Sequence, residues 1–86
     1  MSVGTIRYWA SARAAAGTDE EQVEAATLAE ALAAVRAREP ARPRLAEILR
    51  ICSYVVDTRP VGTRPPESVA LEGAWVVEAL PPFAGG

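Results

Sequence analysis

The stretch from Thr27 to Pro40, TLAEALAAVRAREP, admits one kind of element. Thr27 followed three residues later by Glu30 is a capping box. The hydroxyl accepts from the amide three residues on, and the carboxylate reaches back to the Thr27 amide. Leu28, Ala31, Leu32 and Val35 then recur at i, i+3, i+4 and i+7, one stripe of a helix. Pro40 disfavours helical geometry at Glu39, so the spacing predicts a helix from Leu28 to near Arg38. One stripe on one main helix needs a facing surface, and the rest of the chain supplies strands to build it.

Val3 to Trp9 alternates β-branched and aromatic residues and reads as a strand. Ser11 is positioned to cap a helical turn over Ala12 to Ala16 that Gly17 would stop. Glu21 to Ala25 is a candidate second strand, pairing with the first. Pro43 is placed to open a shorter helix at its first turn, with Leu45, Ile48 and Leu49 facing the core. Ile51 to Val56 reads as a buried strand, Asp57 to Pro60 as a turn, and Val61 to Thr63 as a short returning strand. Arg64 to Pro66 reads as loop, Val69 to Leu71 as short and extended, and Ala74 to Leu80 as the last strand. Strands at both ends around one long helix predict an α+β fold with the helix packed across one face of a sheet. The candidate core is Val3, Ile6, Tyr8, Leu28, Leu32, Val35, Leu49, Val55 and Val77.

The chain has 86 residues, half of them apolar, enough for one domain around one core. Its formal net charge is −2, with acids and bases interspersed, which gives no electrostatic case for nucleic acid or an anionic membrane. No apolar stretch approaches the roughly 20 residues that span a bilayer. The start, MSVGTIRYW, lacks the basic and long apolar regions of a signal peptide, so the expected location is cytoplasmic. The nine basic residues are all arginine, and there is no histidine. The usual proton shuttle and any Schiff-base amine are therefore missing, and a serine nucleophile would lack an activating base. Cys52, the only cysteine, sits in the apolar run ICSYVV and reads as a small buried hydrophobe. No catalysis is expected from the isolated chain, and no bound cofactor or metal.

The last residues, Pro81-Pro82-Phe83-Ala84-Gly85-Gly86, are unlike a frayed end. Two prolines fix φ near −65° and donate no amide hydrogen bond, so they stop the last strand and project the chain outward. Six extended residues reach roughly 20 Å. Gly85 and Gly86 have no Cβ and can thread a narrow channel. A terminal carboxylate, with an intrinsic pKa of about 3.5, is anionic at neutral pH and must be activated before it reacts, for instance as an acyl-adenylate. Residues 1–80 are expected to form the domain and residues 81–86 an extended tail. Phe83 is the candidate apolar anchor for a partner, unless it folds back on its own domain.

These features in order resemble the MoaD family, small subunits of molybdopterin synthase and ubiquitin-like sulfur carriers. The resemblance runs over nearly the whole chain. It rests on Tyr8-Trp9-Ala10-Ser11-Ala12-Arg13 leading to Gly17-Thr18, on Thr27 to Leu32, on Val56-Asp57-Thr58-Arg59-Pro60-Val61, and on Pro81, Pro82, Gly85 and Gly86. It implies a β-grasp fold, a mixed sheet with the first and last strands adjacent. It also implies that Gly86 is adenylated by a ubiquitin-activating-type (MoeB-like) enzyme using ATP and converted to a thiocarboxylate. The tail, Pro81 to Gly86, would then enter a large (MoaE-like) synthase subunit and donate sulfur to a pyranopterin precursor in molybdenum cofactor biosynthesis. Two departures stand out. Gly73 lies one residue early, with Ala74 and Trp75 where the family usually has Gly-Asp, and Asp57 replaces the usual Asn. The turn into the last strand is expected to be reshaped. Carrier chemistry toward another acceptor (cysteine, thiolated tRNA or a specialised metabolite) and a ubiquitin-like modifier or binding module are the alternatives.

Overall fold

The computed structural model describes residues 1–82 of the chain. β1 (Ser2–Tyr8) and β2 (Glu20–Ala25) form an antiparallel pair, with Gly4 opposite Val23. The β1 pleat turns Gly4, Ile6 and Tyr8 inward. Val3, expected in the core, therefore points to the other face and is 55% exposed. Between the strands, α1 (Ala10–Ala16) ends at Gly17, whose φ of 77° is the left-handed cap favoured by glycine. Ser11 does not cap it. Trp9 holds the N-cap position without a side-chain bond, and its carbonyl accepts from the Ala12 and Arg13 amides. The chain leaves the strand one residue earlier than the alternation implied, which carries Ser11 into the first turn.

α2 (Leu28–Arg36) is the long helix of the described residues. Thr27 Oγ1 accepts from the Glu30 amide at 3.2 Å, but the reciprocal bond is displaced. Glu30 Oε1 accepts from the Ala26 amide at 2.9 Å rather than from Thr27. A bridge between Thr27 and Ala70 holds this approach extended and presents the Ala26 amide to the carboxylate. Leu28, Ala31, Leu32 and Val35 are all buried, and each larger side chain contributes about 1.5–3 kcal/mol by leaving water. The helix stops at Arg36, two residues before the predicted limit, although the Arg38 amide still reaches the Val35 carbonyl at 3.3 Å.

α3 (Pro43–Leu49) opens on its proline and buries Leu45 and Leu49. The Ile51 amide still bonds the Ile48 carbonyl, so helical turn replaces the expected start of the next strand and leaves Ile51 63% exposed. β3 is only Ser53–Val56. It is not a buried strand, because just one of its faces meets the core. Tyr54 and Val56 pack inward, whereas Val55 lies beside Glu78 on the opposite face and is half-buried, not a core residue. Asp57 and Thr58, at φ 49° and 71°, make a two-residue turn of the left-handed kind that matches strand twist. The return strand is consequently β4 (Arg59–Pro60), inside the predicted turn, and residues 61–63 are not a strand. After one 3₁₀ turn at Pro66–Ser68, Val69 and Leu71 are buried.

β5 (Val76–Leu80) runs parallel to β1 and antiparallel to β3, giving the mixed order β2-β1-β5-β3-β4. The first and last strands are adjacent, as predicted, and the helices cover one face. The largest fully buried side chain is Trp75, which was not in the predicted core. Its indole Nε1 donates to the Ser2 carbonyl at 3.1 Å. A Cβ on Gly4 would lie 2.1 Å from Trp75 Cδ2, so this site in β1 has room only for glycine. Gly73, at φ 61°, supplies the left-handed turn into this altered approach to β5.

Candidate functional site

β5 is central, so whatever follows Leu80 leaves from the middle of the sheet edge rather than from its side. Ala79 is paired with Tyr8 and Tyr54, and Leu80 with Ser53. Pro81 is buried and Pro82 exposed. The ladder ends where the amide donors end, as the two prolines require. Phe83, Ala84, Gly85 and Gly86 lie outside the described residues, and with them the expected anchor and the expected reacting group.

Beside this exit, Trp9 is 41% exposed. Its Nε1 donates to Glu78 Oε1 at 3.2 Å, and the Arg7 guanidinium stands 5.7 Å from its ring centroid. That distance is within reach of a cation–π attraction. Arg7 also approaches Glu20 at 3.5 Å. Sequence reading took Trp9 as an alternating strand residue and missed this cluster. The Trp9–Glu78 bond joins residues 69 apart along the chain, so no local signal announces it. The same open face carries Val3, Val55 and Val76. Glu24, Gln22, Thr5 and Glu78 stand among these valines, so the face is a mixed polar and apolar surface next to the root of the tail.

The opposite side of β1 is held by a polar crosslink. Glu21 Oε1 accepts from the Tyr8 hydroxyl at 2.6 Å and from Arg42 Nη2 at 2.9 Å, and Glu21 Oε2 accepts from Arg38 Nη1 at 3.2 Å. Arg42 further donates to the carbonyls of Ala16 and Val35, at 3.2 and 3.3 Å, and Arg38 to that of Gln22. Burial works to raise the Glu21 carboxyl. The Tyr8 hydroxyl and the Arg42 and Arg38 guanidiniums outweigh it and hold the group below its ordinary value. Burial first, and then the Glu21 carboxylate, push the Tyr8 hydroxyl up. Tyr8 and Arg42 are thus structural, and the Tyr8 hydroxyl stays protonated near neutral pH.

Cys52 is half-buried at the end of α3, and burial pushes its thiol up to about 11. At neutral pH it is almost wholly protonated, which agrees with the reading of a small hydrophobe and not a reactive sulfur. Among the described residues no group of three or more Cys, Asp or Glu side chains could hold a metal ion, and no helix is long and apolar enough to cross a membrane.

No protein-family model and no curated protein matches the sequence. Solved structures do match the fold. The small archaeal modifier protein 1 (SAMP1) from Methanosarcina acetivorans superposes with a TM-score of 0.84 at 17% identity, over 100% of this chain and 98% of that one. This is a ubiquitin-like β-grasp domain. A second β-grasp neighbour is the Haloferax volcanii HVO 2177 protein, with a TM-score of 0.72, 23% identity, and coverage of 98% and 88%. A third is a chain from the complex of subunits 1 and 2 of molybdopterin-converting factor from Helicobacter pylori. Its TM-score is 0.69 at 20% identity, with 98% and 99% covered. These likenesses cover 98–100% of this chain.

Proposed function

We propose that this chain is a sulfur carrier of the molybdopterin-synthase small-subunit type, with Gly86 as the residue that carries sulfur. The observation that carries the reading is the sequence Pro81-Pro82-Phe83-Ala84-Gly85-Gly86, which follows directly on the central strand of a β-grasp sheet. In this reading an activating adenylyltransferase joins the Gly86 carboxylate to AMP, releasing pyrophosphate from ATP. A sulfur donor then displaces AMP and leaves a thiocarboxylate. The chain's own residues supply reach and placement. Pro81 ends the ladder, Pro82 to Gly85 span the distance to a partner's site, and the domain positions the tail's root. Catalytic acids and bases come from the partners, in keeping with a chain that has no histidine or lysine. The likeness to a chain from a two-subunit converting factor supports a large-subunit partner. ATP belongs to the activating enzyme, and the pyranopterin is the substrate.

A second reading, a protein modifier joined through Gly86 to other proteins, is favoured by the higher TM-score to the small archaeal modifier protein. One experiment separates them. The chain is incubated with its activating enzyme, ATP and a sulfur donor, then with the large subunit and precursor or with a protein extract. The carrier reading expects the intact mass to rise by about 16 Da, the O-to-S exchange at an activated carboxyl, and then to return to its starting value on transfer. Covalent adducts of higher mass would establish the modifier. Deleting Gly86 should abolish either product without changing the fold. Full activity in that variant, or sulfur on Cys52, would refute both.

A further inference from the structure

A groove of about 370 Å³ opens between the last turn of α2, the end of α3, β3 and the loop before Pro66. It is on the helix side of the molecule, not on the open sheet face. Its floor is apolar: Leu32 and Leu49 are buried, and Tyr54 is half-buried with its hydroxyl already donated to the Leu49 carbonyl at 2.5 Å. Its rim is cationic. Arg36, Arg50 and Arg64 all line it, all are exposed, and no aspartate or glutamate lines it. Arg36 and Arg50 have no carboxylate within 4 Å among the described residues, and Arg64 is held only by the Val61 and Pro60 carbonyls. This contrasts with Arg7, Arg13, Arg38 and Arg42, each of which has a carboxylate partner.

Three guanidiniums over an apolar floor, on a protein of net charge −2, are a local reversal of the protein's overall sign. Guanidinium is the cation best matched to carboxylate, through two parallel donors. We propose that this groove binds an acidic peptide segment of a partner protein, seating one aliphatic side chain on Leu32, Leu49 and Tyr54 and its flanking carboxylates on Arg36, Arg50 and Arg64. The net negative charge disfavours a nucleic-acid occupant. The open shape suits an extended chain crossing it rather than an enclosed small molecule. Cys52 on the wall precedes Ser53, the partner of Leu80 at the end of β5, so the groove is next to the root of the tail. A partner held there would be kept over the tail whichever acceptor the tail serves. The inference does not rest on the sulfur chemistry proposed above.

The test is a titration of the ¹⁵N-labelled full chain with the acetylated, amidated peptide Glu-Glu-Leu-Glu-Glu. Saturable amide shifts are expected at Leu32, Arg36, Leu49, Arg50, Cys52 and the loop from Gly62 to Arg64. Affinity should fall as salt is raised. It should drop about tenfold when Arg36→Glu and Arg50→Glu are combined, a loss typical of reversing charges that meet carboxylates. Arg50→Gln alone should lose less and serves if the double variant melts early. The Lys-Lys-Leu-Lys-Lys peptide should not bind, and replacing the central Leu by Gly should weaken binding. No saturable shifts below about 5 mM, a strength too weak to support recognition, would overturn the proposal. So would shifts centred on the open sheet face, indifference to both arginine variants, or inorganic phosphate acting on the same amides with equal affinity.

Discussion

The arginines at the two ends of the α2–α3 layer play opposite parts. On the β2 side, Arg38 and Arg42 converge on the single carboxylate of Glu21 and on three backbone carbonyls, and so tie α1, α2, α3 and β2 together. On the β3 side, Arg36, Arg50 and Arg64 stand over apolar residues with no carboxylate among them. The side chains are the same; what differs is the presence of one glutamate. A guanidinium enclosed by acceptors is a crosslink, and one facing water over a hydrophobic floor is open to a ligand. The two ends also differ in packing. Trp75 fills the space against β1, whereas β3 is half-buried and closes on a turn with two left-handed residues.

If the β1 side is the rigid half, the sharpest way to break it is at Gly4. Gly4→Ala places a methyl group 2.1 Å from the Trp75 ring and 2.4 Å from its carbonyl oxygen, a contact that forces backbone or indole to move. A loss of about 3 kcal/mol is expected in urea denaturation, the upper range for overpacking. A cost near zero would show that Trp75 repacks freely and that the two halves are equally soft.

Arg42→Ala removes three hydrogen bonds around a mostly buried carboxylate and should cost about 2 kcal/mol. Equal losses in Arg42→Ala and in a groove arginine variant would erase the distinction between crosslink and ligand site. The same contrast has a pH signature. Glu21 is held below its ordinary value in the folded chain. Its contribution is therefore complete above the unfolded carboxyl value of about 4.3 and is lost as pH falls through the lower folded value. Denaturation midpoints measured from neutral pH downward should decline over that window, and Glu21→Gln, less stable at neutral pH, should flatten the decline.

Thr58 holds φ at 71°, unfavourable for a β-branched residue, and Thr58→Gly is expected to stabilise the hairpin by about 0.5–1 kcal/mol. A lower melting temperature would mean that the threonine side chain makes a compensating contact. Smallest of all is Arg50→Ala, expected within about 0.5 kcal/mol of the parent protein because it is a surface change away from any pairing.

Much of the fold was legible because it is written in short-range patterns. The Thr27–Glu30 box, the four-residue stripe of α2, Pro43 at the start of α3, Gly17 at the end of α1 and the paired prolines after Leu80 each act within a few residues. Each was found where the pattern put it, to within one or two residues at the ends. The errors were of another kind. Val3 and Val55 look like core residues but lie on the open face, since strand alternation yields two faces without saying which one a helix covers. Ile51 reads as strand and is helical turn, because the bonds that continue α3 compete locally with the start of β3. The tail motif was equally legible as a motif. Its prolines are placed, while Phe83 to Gly86 lie outside the described residues.

Local sequence determined where the chain helices, turns and stops, since those choices depend on φ, hydrogen-bond donors and side-chain spacing within one or two turns. Only the tertiary structure decided what meets what. Gly4 and Trp75 are distant in sequence, as are Glu21 and its two arginines, and Trp9 and Glu78. The Gly4–Trp75 and Trp9–Glu78 contacts exist because β5 enters the sheet beside β1, and the Glu21 contacts because the chain between α2 and α3 lies against β2. That placement also left Arg36, Arg50 and Arg64 beside one groove, with the carboxylates elsewhere. Charge is a property of each residue, but pairing is a property of distance, and distance is set by the register of the sheet and the packing of the helices on it.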